Sequence, residues 1–497
     1  MAMTTFFGHP RGLATLFFTE MWERFSYYGM RALLTLYMTT ATIGANPGLG
    51  LDVGTAGAIY GLYTGLVYIL ALPGGWVADN LWGQRKAIWV GGWTIALGHF
   101  TMAVPSTFSF FLGMVFITFG TGLLKPNVST IVGDLYPEGG ARRDAGFSIF
   151  YMGINLGALV GPWITGTLGE EIRWHWGFGA AGVGMVLGLI QYRLGERHLG
   201  DIGHLRTSDS GAQVAAKARM FFGGFAGVVA AVVLFGWLVS SGVIPVTLTQ
   251  IATVLGVSVW VVVLLYFIYV WTLGGHTSEE NKKMGVIFWL FILVALFWSG
   301  FEQAGTSMTI FARDLTDRSL PFALPFVGRE FPAAWFQSVN AFFIIAMAPL
   351  FGMLWVWLES RSANPSIPMK AGLGLLGLSA GFFVLAWGAA NASVAGQVGA
   401  SWLVVTYFLH TVGELCISPI GLSAITKLSP QRRVGQMMGV WFVGAALGNV
   451  FAGLVGGMLE SLMPADLFRA VAMIIGGAGL VAILLAPQVK KLAGGTK

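Results

Sequence analysis

Residues 15–38 read TLFFTEMWERFSYYGMRALLTLYM, an apolar run long enough to cross a bilayer that nevertheless carries Glu20, Glu23, Arg24 and Arg31. Charged side chains at hydrocarbon depth are costly and are kept where they serve a function. At roughly 100° per residue, Glu20, Glu23, Arg24, Tyr27 and Arg31 fall on one side of a helix. That polar stripe must face protein or a water-filled cavity, because lipid satisfies none of its groups. The pattern implies a membrane protein that moves a polar or charged solute, with protons as the coupling ion.

Composition agrees. Of 497 residues, 56% are hydrophobic and 10% charged, and the mean hydropathy is +0.74. Soluble domains carry about 25% charged residues, so the chain reads as a polytopic membrane protein. The 71 glycines suit close helix packing in lipid. The single cysteine, Cys416, excludes an intramolecular disulfide. The net charge of +6 points to topology rather than to nucleic acid. The first residues lack a basic region before the first apolar run, so no cleavable signal is expected.

Fourteen apolar runs, from 13–41 to 466–487, predict an all-α protein with both termini on one side. With the termini cytoplasmic, twenty Lys and Arg fall inside and five outside, which satisfies the positive-inside rule. The polar stretch 195–217 separates six spans from the rest. The next two spans carry no charge after Arg219 and read as a peripheral, lipid-facing hairpin. The expected organisation is a six-helix bundle over 1–194, a linker and hairpin over 195–283, and a second six-helix bundle over 284–497. Six plus six is the arithmetic of the major facilitator superfamily.

Further stretches carry polar residues in one inter-span loop and within five other spans. GGWVADNLWGQRKAI (74–88) joins the second and third spans: Gly74 and Gly75 are expected to allow close helix approach, and Asp79, Gly83, Arg85 and Lys86 to form a charged latch. In the fourth span Lys125 is a lone cation, next to a Pro126 expected to weaken the helix. The fifth span places Tyr151 and Asn155 four residues apart on one face. The C-terminal spans contribute Trp298, Ser299, Glu302 and Gln303, then Asn340, then His410 and Glu414 ahead of a kink expected at Pro419. Four deep acids (Glu20, Glu23, Glu302 and Glu414) against three bases (Arg24, Arg31 and Lys125) suggest pairing. His99 and His175 read as packing or interfacial residues. No Cys/His metal cluster, phosphate-binding loop or nucleophile motif occurs, so neither catalysis nor drive by ATP is expected.

These motifs resemble those of the proton-dependent oligopeptide transporter (POT, or PTR) family. Glu20-Met-Trp-Glu23-Arg24-Phe25-Ser-Tyr27-Tyr28-Gly29 resembles its ExxERFxYYG motif, and Gly74-Gly75-Trp-Val-Ala-Asp79 with Gly83 its second-to-third-helix signature. Phe150-Tyr151-Met-Gly-Ile154-Asn155-Leu-Gly157 resembles FYxxINxG, and GELCISPIGLS (413–423) is a fourth match. The resemblance implies a multi-pass protein of the bacterial inner membrane, not an enzyme, importing di- and tripeptides with protons by alternating access. It implies a monomer without cofactor, in contact with the lipid bilayer and not with nucleic acid.

By the same resemblance, Arg24, Arg31 and Lys125 would receive the peptide carboxylate, and Asn155, Asn340 and Glu414 its amino terminus. Tyr27, Tyr63, Tyr68, Trp298 and Trp441 would line the site. Glu20, Glu23, Arg24 and Glu302 would couple protons. Arg31–Glu302 and Lys125–Glu414 would be the outer and inner gates. Where family members often carry a small hydroxyl residue, one turn beyond Trp441, this chain has Ala445. The rival readings are a proton-coupled carrier of nitrate, amino acids or another small acid, and a non-transporting receptor. An anion carrier would not need the amine pole, and a receptor would need a soluble signalling domain.

Overall fold

A computed structural model of the chain describes residues 5–417, 425 and 427–493. Fourteen long helices run through the described residues. In the first half they are α1 (Gly12–Thr39), α2 (Val53–Val77), α3 (Gln84–Met102), α4 (Thr107–Asp134), α5 (Gly140–Gly166) and α6 (Trp174–Gly195). Next come α7 (Gly211–Ser240) and α8 (Leu248–Leu273), then α9 (Ser278–Phe301) and a short α10 (Ser307–Asp314). The remainder are α11 (Gln337–Ser360), α12 (Ile367–Ala395), α13 (Ser401–Ile417), α14 (Val434–Gly457) and α15 (Pro464–Leu492). Ten helical segments are long and apolar enough to cross a membrane by length and composition alone. α1 falls short of that standard because its stripe holds four charges.

Within the first six helices, α1 packs on α5 and α6, and α3 on α4 and α6. In the last group α12 packs on α13 and α15, and α14 on α9. Two seams join the groups, α2 with α14 and α5 with α11. The first is built from glycine: a Cβ on Gly61 would lie 2.9 Å from the Val450 carbonyl, and one on Gly457 3.0 Å from the Gly54 Cα. Backbones this close are how helices gain packing energy where apolar burial gives no advantage over lipid. α7 has no buried residue, whereas α8 buries Ala252, Gly256, Val263, Phe267 and Val270.

Several local expectations are corrected. The ninth run is not one helix: α9 ends at Phe301, a 3₁₀ turn spans Glu302–Gly305, and α10 follows. The carbonyls freed there are taken by side chains, Thr35 Oγ1 donating to Gly305 (2.5 Å) and Gln337 Nε2 to Ala304 (2.5 Å). Broken helices survive in lipid where such donors are supplied. α4, by contrast, continues through Pro126. Gly74 does allow close approach, since a Cβ there would overlap the Gly122 carbonyl, but Gly75 faces open space. Arg85 ties down the linker after α6: its backbone N–H and Nε donate to the carbonyls of Gly203 (3.0 Å) and Ile202 (2.6 Å). The kink expected at Pro419 lies outside the described residues.

The face opposite the termini adds two small sheets that hydropathy does not announce. β1 (Thr316–Asp317) pairs in parallel with β4 (Val398–Gly399), and β2 (Ser319–Leu324) forms a hairpin with β3 (Gly328–Glu330).

Candidate functional site

The α1 stripe is buried as its periodicity requires: Glu20, Glu23, Arg24, Tyr27 and Arg31 are all enclosed. Arg24 Nε lies 3.1 Å from Glu20 Oε1 and in close contact with Glu23 Oε2. Glu20 Oε2 and Arg24 Nη2 have no hydrogen-bond partner among the described residues. The cluster therefore has one acceptor and one donor position free, which is the condition for exchanging partners during a cycle.

Two turns further along, Arg31 Nη1 lies 3.0 Å from Glu302 Oε2. The 3₁₀ turn brings Glu302 to this position, and Gln337 holds the arrangement from α11. Gln337 Oε1 accepts from Arg31 Nη2 (3.5 Å), and Gln337 Nε2 donates to Ala304 O and to Thr309 Oγ1 (2.9 Å). Sequence reasoning passed over Gln337, although it stands three residues before Asn340 and so on the same helical face. It also left out Tyr28, whose ring takes Arg31 at 5.2 Å and Arg24 at 6.0 Å. Cation–π contacts in a dry site hold a guanidinium without neutralising it.

The aromatic lining collects around the same stripe. Tyr27 stacks on Tyr63 with ring centroids 6.5 Å apart, and the Tyr60 and Tyr63 hydroxyls are buried without a partner among the described residues. Lys125 Nζ sits 4.1 Å from the centroid of Tyr68. Tyr68 is also within electrostatic range of Arg24, Arg31, Glu302 and Glu414.

On the opposite side, Asn340 Nδ2 donates to Glu414 Oε2 (2.9 Å) and to Thr411 Oγ1 (3.0 Å), joining α11 to α13. Lys125 forms no ion pair with Glu414; its charged neighbours are Arg24, Glu23 and Glu20, while those of Glu414 are Glu302 and Arg31. Asn155 donates to Tyr151 O of its own helix (2.9 Å) rather than to another element. Trp298 packs against Gly448 and in T-shaped contact with Phe301, and Trp441 is half-buried. Ala445 is buried. His410 lies against Phe382 (4.7 Å between centroids), with Nε2 unpartnered among the described residues. His175 Nδ1 meets Met102 O at 3.1 Å, and His99 is fully enclosed.

The arrangement is bipolar. Three cations on α1 and α4 gather with an amide on α11 and two carboxylates, one in the 3₁₀ turn after α9 and one on α13, among tyrosines. It suits a solute bearing both charges, whose carboxylate and amine would each replace a partner now supplied by the protein.

Comparison with known proteins shows the family to which the chain belongs. A family model described as PTR2: POT family matches residues 85–470. The chain is 42% identical over 509 residues to the peptide transporter YePEPT of Yersinia enterocolitica, covering 99% of this chain and 97% of that one. It is 36% identical over 493 residues to a di-/tripeptide transporter of Lactococcus lactis subsp. cremoris, covering 99% and 98%. Crystal structures of a POT family transporter, in complex with 5-aminolevulinic acid and with a thioalcohol-conjugated peptide, superpose with a TM-score of 0.87. They share 35% identity with this chain over 98% of both.

Proposed function

Because the chain belongs to the POT family, a family of membrane transporters with the two-bundle architecture of the major facilitator superfamily, we propose that it imports di- and tripeptides together with protons by alternating access. The observation that carries this reading is the bipolar site around Tyr68: Arg24, Arg31 and Lys125 on one side, Glu414 with Asn340 on the other. A zwitterionic peptide meets both poles, and the site lies between the helix groups that would rock.

In this reading 1–194 and 284–497 are the rocking bundles, and 195–283 is linker and hairpin. The termini face the cytoplasm of a bacterium, as the distribution of Lys and Arg favours. The face opposite the termini is then the outer one, closed here along the α2–α14 seam and by the Arg31–Glu302 pair. Protonation of Glu302 removes the charge that holds Arg31, freeing the outer seam and leaving Arg31 for the peptide carboxylate. Glu20 and Glu23 share Arg24 in the same manner, so carboxylate binding at Arg24 favours proton uptake by its former partners. Closing the inner side would bring Lys125 toward Glu414. Asn155, Trp298 and Trp441 would complete the pocket, and a single copy would suffice.

A second reading, small amino acids in place of peptides, is favoured by the relative solved with 5-aminolevulinic acid, which carries the same two poles. Uptake of labelled dialanine into proteoliposomes under an inward proton gradient tests both. Accumulation that a protonophore abolishes and unlabelled tripeptide blocks supports peptide symport. Block by amino acids with none by tripeptide would replace it with the second reading.

A further inference from the structure

The α5–α11 seam is fastened at its outer end by side-chain hydrogen bonds. Where it reaches the face opposite the termini, Ser338 Oγ donates to Leu159 O (2.7 Å), and Trp335 Nε1 donates to Thr167 Oγ1 (3.1 Å) and Trp163 O (3.2 Å). One carboxylate joins the two helices at the same end.

That carboxylate is Glu170, in the π-helical turn after α5. Its Oε2 accepts the backbone N–H of Ala333 (2.9 Å) and its Oε1 that of Ala334 (2.8 Å). These two N–H groups open the 3₁₀ turn Ala333–Phe336, which runs straight into α11. The first N–H groups of a helix have no partner within it, and a carboxylate placed there meets both the donors and the helix dipole. Arg318 Nη1, 4.0 Å away, adds a cation. Glu170 is itself braced from the N-terminal half, because Asn46 Nδ2 donates to Gly169 O (2.7 Å) while Asn46 Oδ1 accepts from Trp174 N (3.2 Å). A polar cavity of about 690 Å³, bordered by Glu171, Arg318 and Glu330, opens beside the contact.

We propose that Glu170 is a second outer-gate residue: a latch that fastens the two halves across α5 and α11 and must let go whenever the outer face opens. It touches no substrate and acts by positioning α11, which carries Gln337 and Asn340 into the site. The Arg31–Glu302 pair closes the centre of that face and Glu170 its far seam, so both must release for one opening. The inference rests on the alternating-access reading above.

The test is pulsed electron paramagnetic resonance between spin labels at Val104→Cys and Val394→Cys, exposed positions just beyond the outer end of α3 and at the outer end of α12, in a Cys416→Ser background. Glu170→Gln removes the charge and one acceptor. Ala333→Pro removes one donor from the other side, at a first helical position that tolerates proline. Each is expected to enlarge the long-distance, outer-open population at least about fivefold, in keeping with losing a charge-assisted helix cap. Folded variants whose distance distributions match the parent would overturn the latch, reducing Glu170 to a buried cap. Should the parent itself show no longer distance with dialanine at acid pH, the transport reading would fail and the latch with it. If the parent opens and only the variants are indistinguishable from it, the latch alone fails.

Discussion

Arg31 on α1 and Glu302 in the 3₁₀ turn after α9 form an ion pair of 3.0 Å, each side chain only 6% exposed. The two halves of the chain meet there, with Gln337 and Tyr28 holding the arginine from two further directions. A buried pair of this kind costs little while intact and much when one partner is removed.

Glu302→Gln is therefore expected to abolish uphill, proton-driven accumulation of dialanine while leaving counterflow exchange measurable. The amide keeps the shape and loses the titratable charge. Normal accumulation against a gradient would remove Glu302 from the coupling step.

Gln337→Leu should weaken driven uptake about tenfold, the equivalent of one hydrogen bond to a charged group. Its two donations, to Ala304 O and Thr309 Oγ1, also brace the turn that presents Glu302. The informative readout is the pH profile of uptake: a shifted profile supports positioning of Arg31, and an unchanged profile with lower Vmax supports packing alone.

Lys125→Ala is expected to reduce proton-driven uptake at least tenfold by removing a cation that rests on Tyr68 and pairs with no acid among the described residues. Lys125→Arg should recover part of it. Peptide binding measured by calorimetry on the purified protein would fall in parallel if Lys125 receives carboxylate, and would hold steady if it serves the gate alone.

Gly61→Val tests the glycine seam. A Cβ at Gly61 would stand 2.9 Å from the Val450 carbonyl and 3.2 Å from Gly453 Cα, both backbone atoms that cannot turn aside. Overpacking of this size costs about 1–3 kcal/mol. It falls only on the conformation in which α2 and α14 touch. The variant should fold, lose uptake and populate longer distances across the outer face.

His276 supplies a pH prediction outside the spans. It lies between Arg432 (Nη2 to Nδ1, 2.8 Å) and Arg433 (Nε to Nε2, 2.8 Å), with Glu280 Oε2 3.6 Å from Nδ1. Burial and then the two guanidiniums hold its pKa below the ordinary 6.5, Glu280 opposing them. Above pH 6.5 the ring is neutral in folded and unfolded chains alike, and the site adds no pH dependence. Below it the unfolded chain takes up a proton that the folded one resists, so stability falls with acid. Melting curves at pH 7.5 and 5 should converge in His276→Gln; an equal acid loss in that variant would exclude the histidine as its source.

The number of long helices and the burial of the α1 stripe were legible in the sequence alone. Each follows from a one-dimensional rule: apolar length must match the bilayer, and a periodic polar face cannot meet lipid. The depth of Lys125, Glu302, Asn340 and Glu414 was legible for the same reason. Which partner each one takes was decided by tertiary structure. Lys125 rests on Tyr68 and not on Glu414, Asn340 rather than a cation holds Glu414, and Glu302 meets Arg31 from the 3₁₀ turn that follows α9. Glu170 and Gln337 gave no signal of their own, since one sits at a span end and the other is a lone amide. A buried polar group must be satisfied somewhere, and hydropathy shows that the need exists. Only the crossing of helices distant in sequence determines which donor or acceptor meets it.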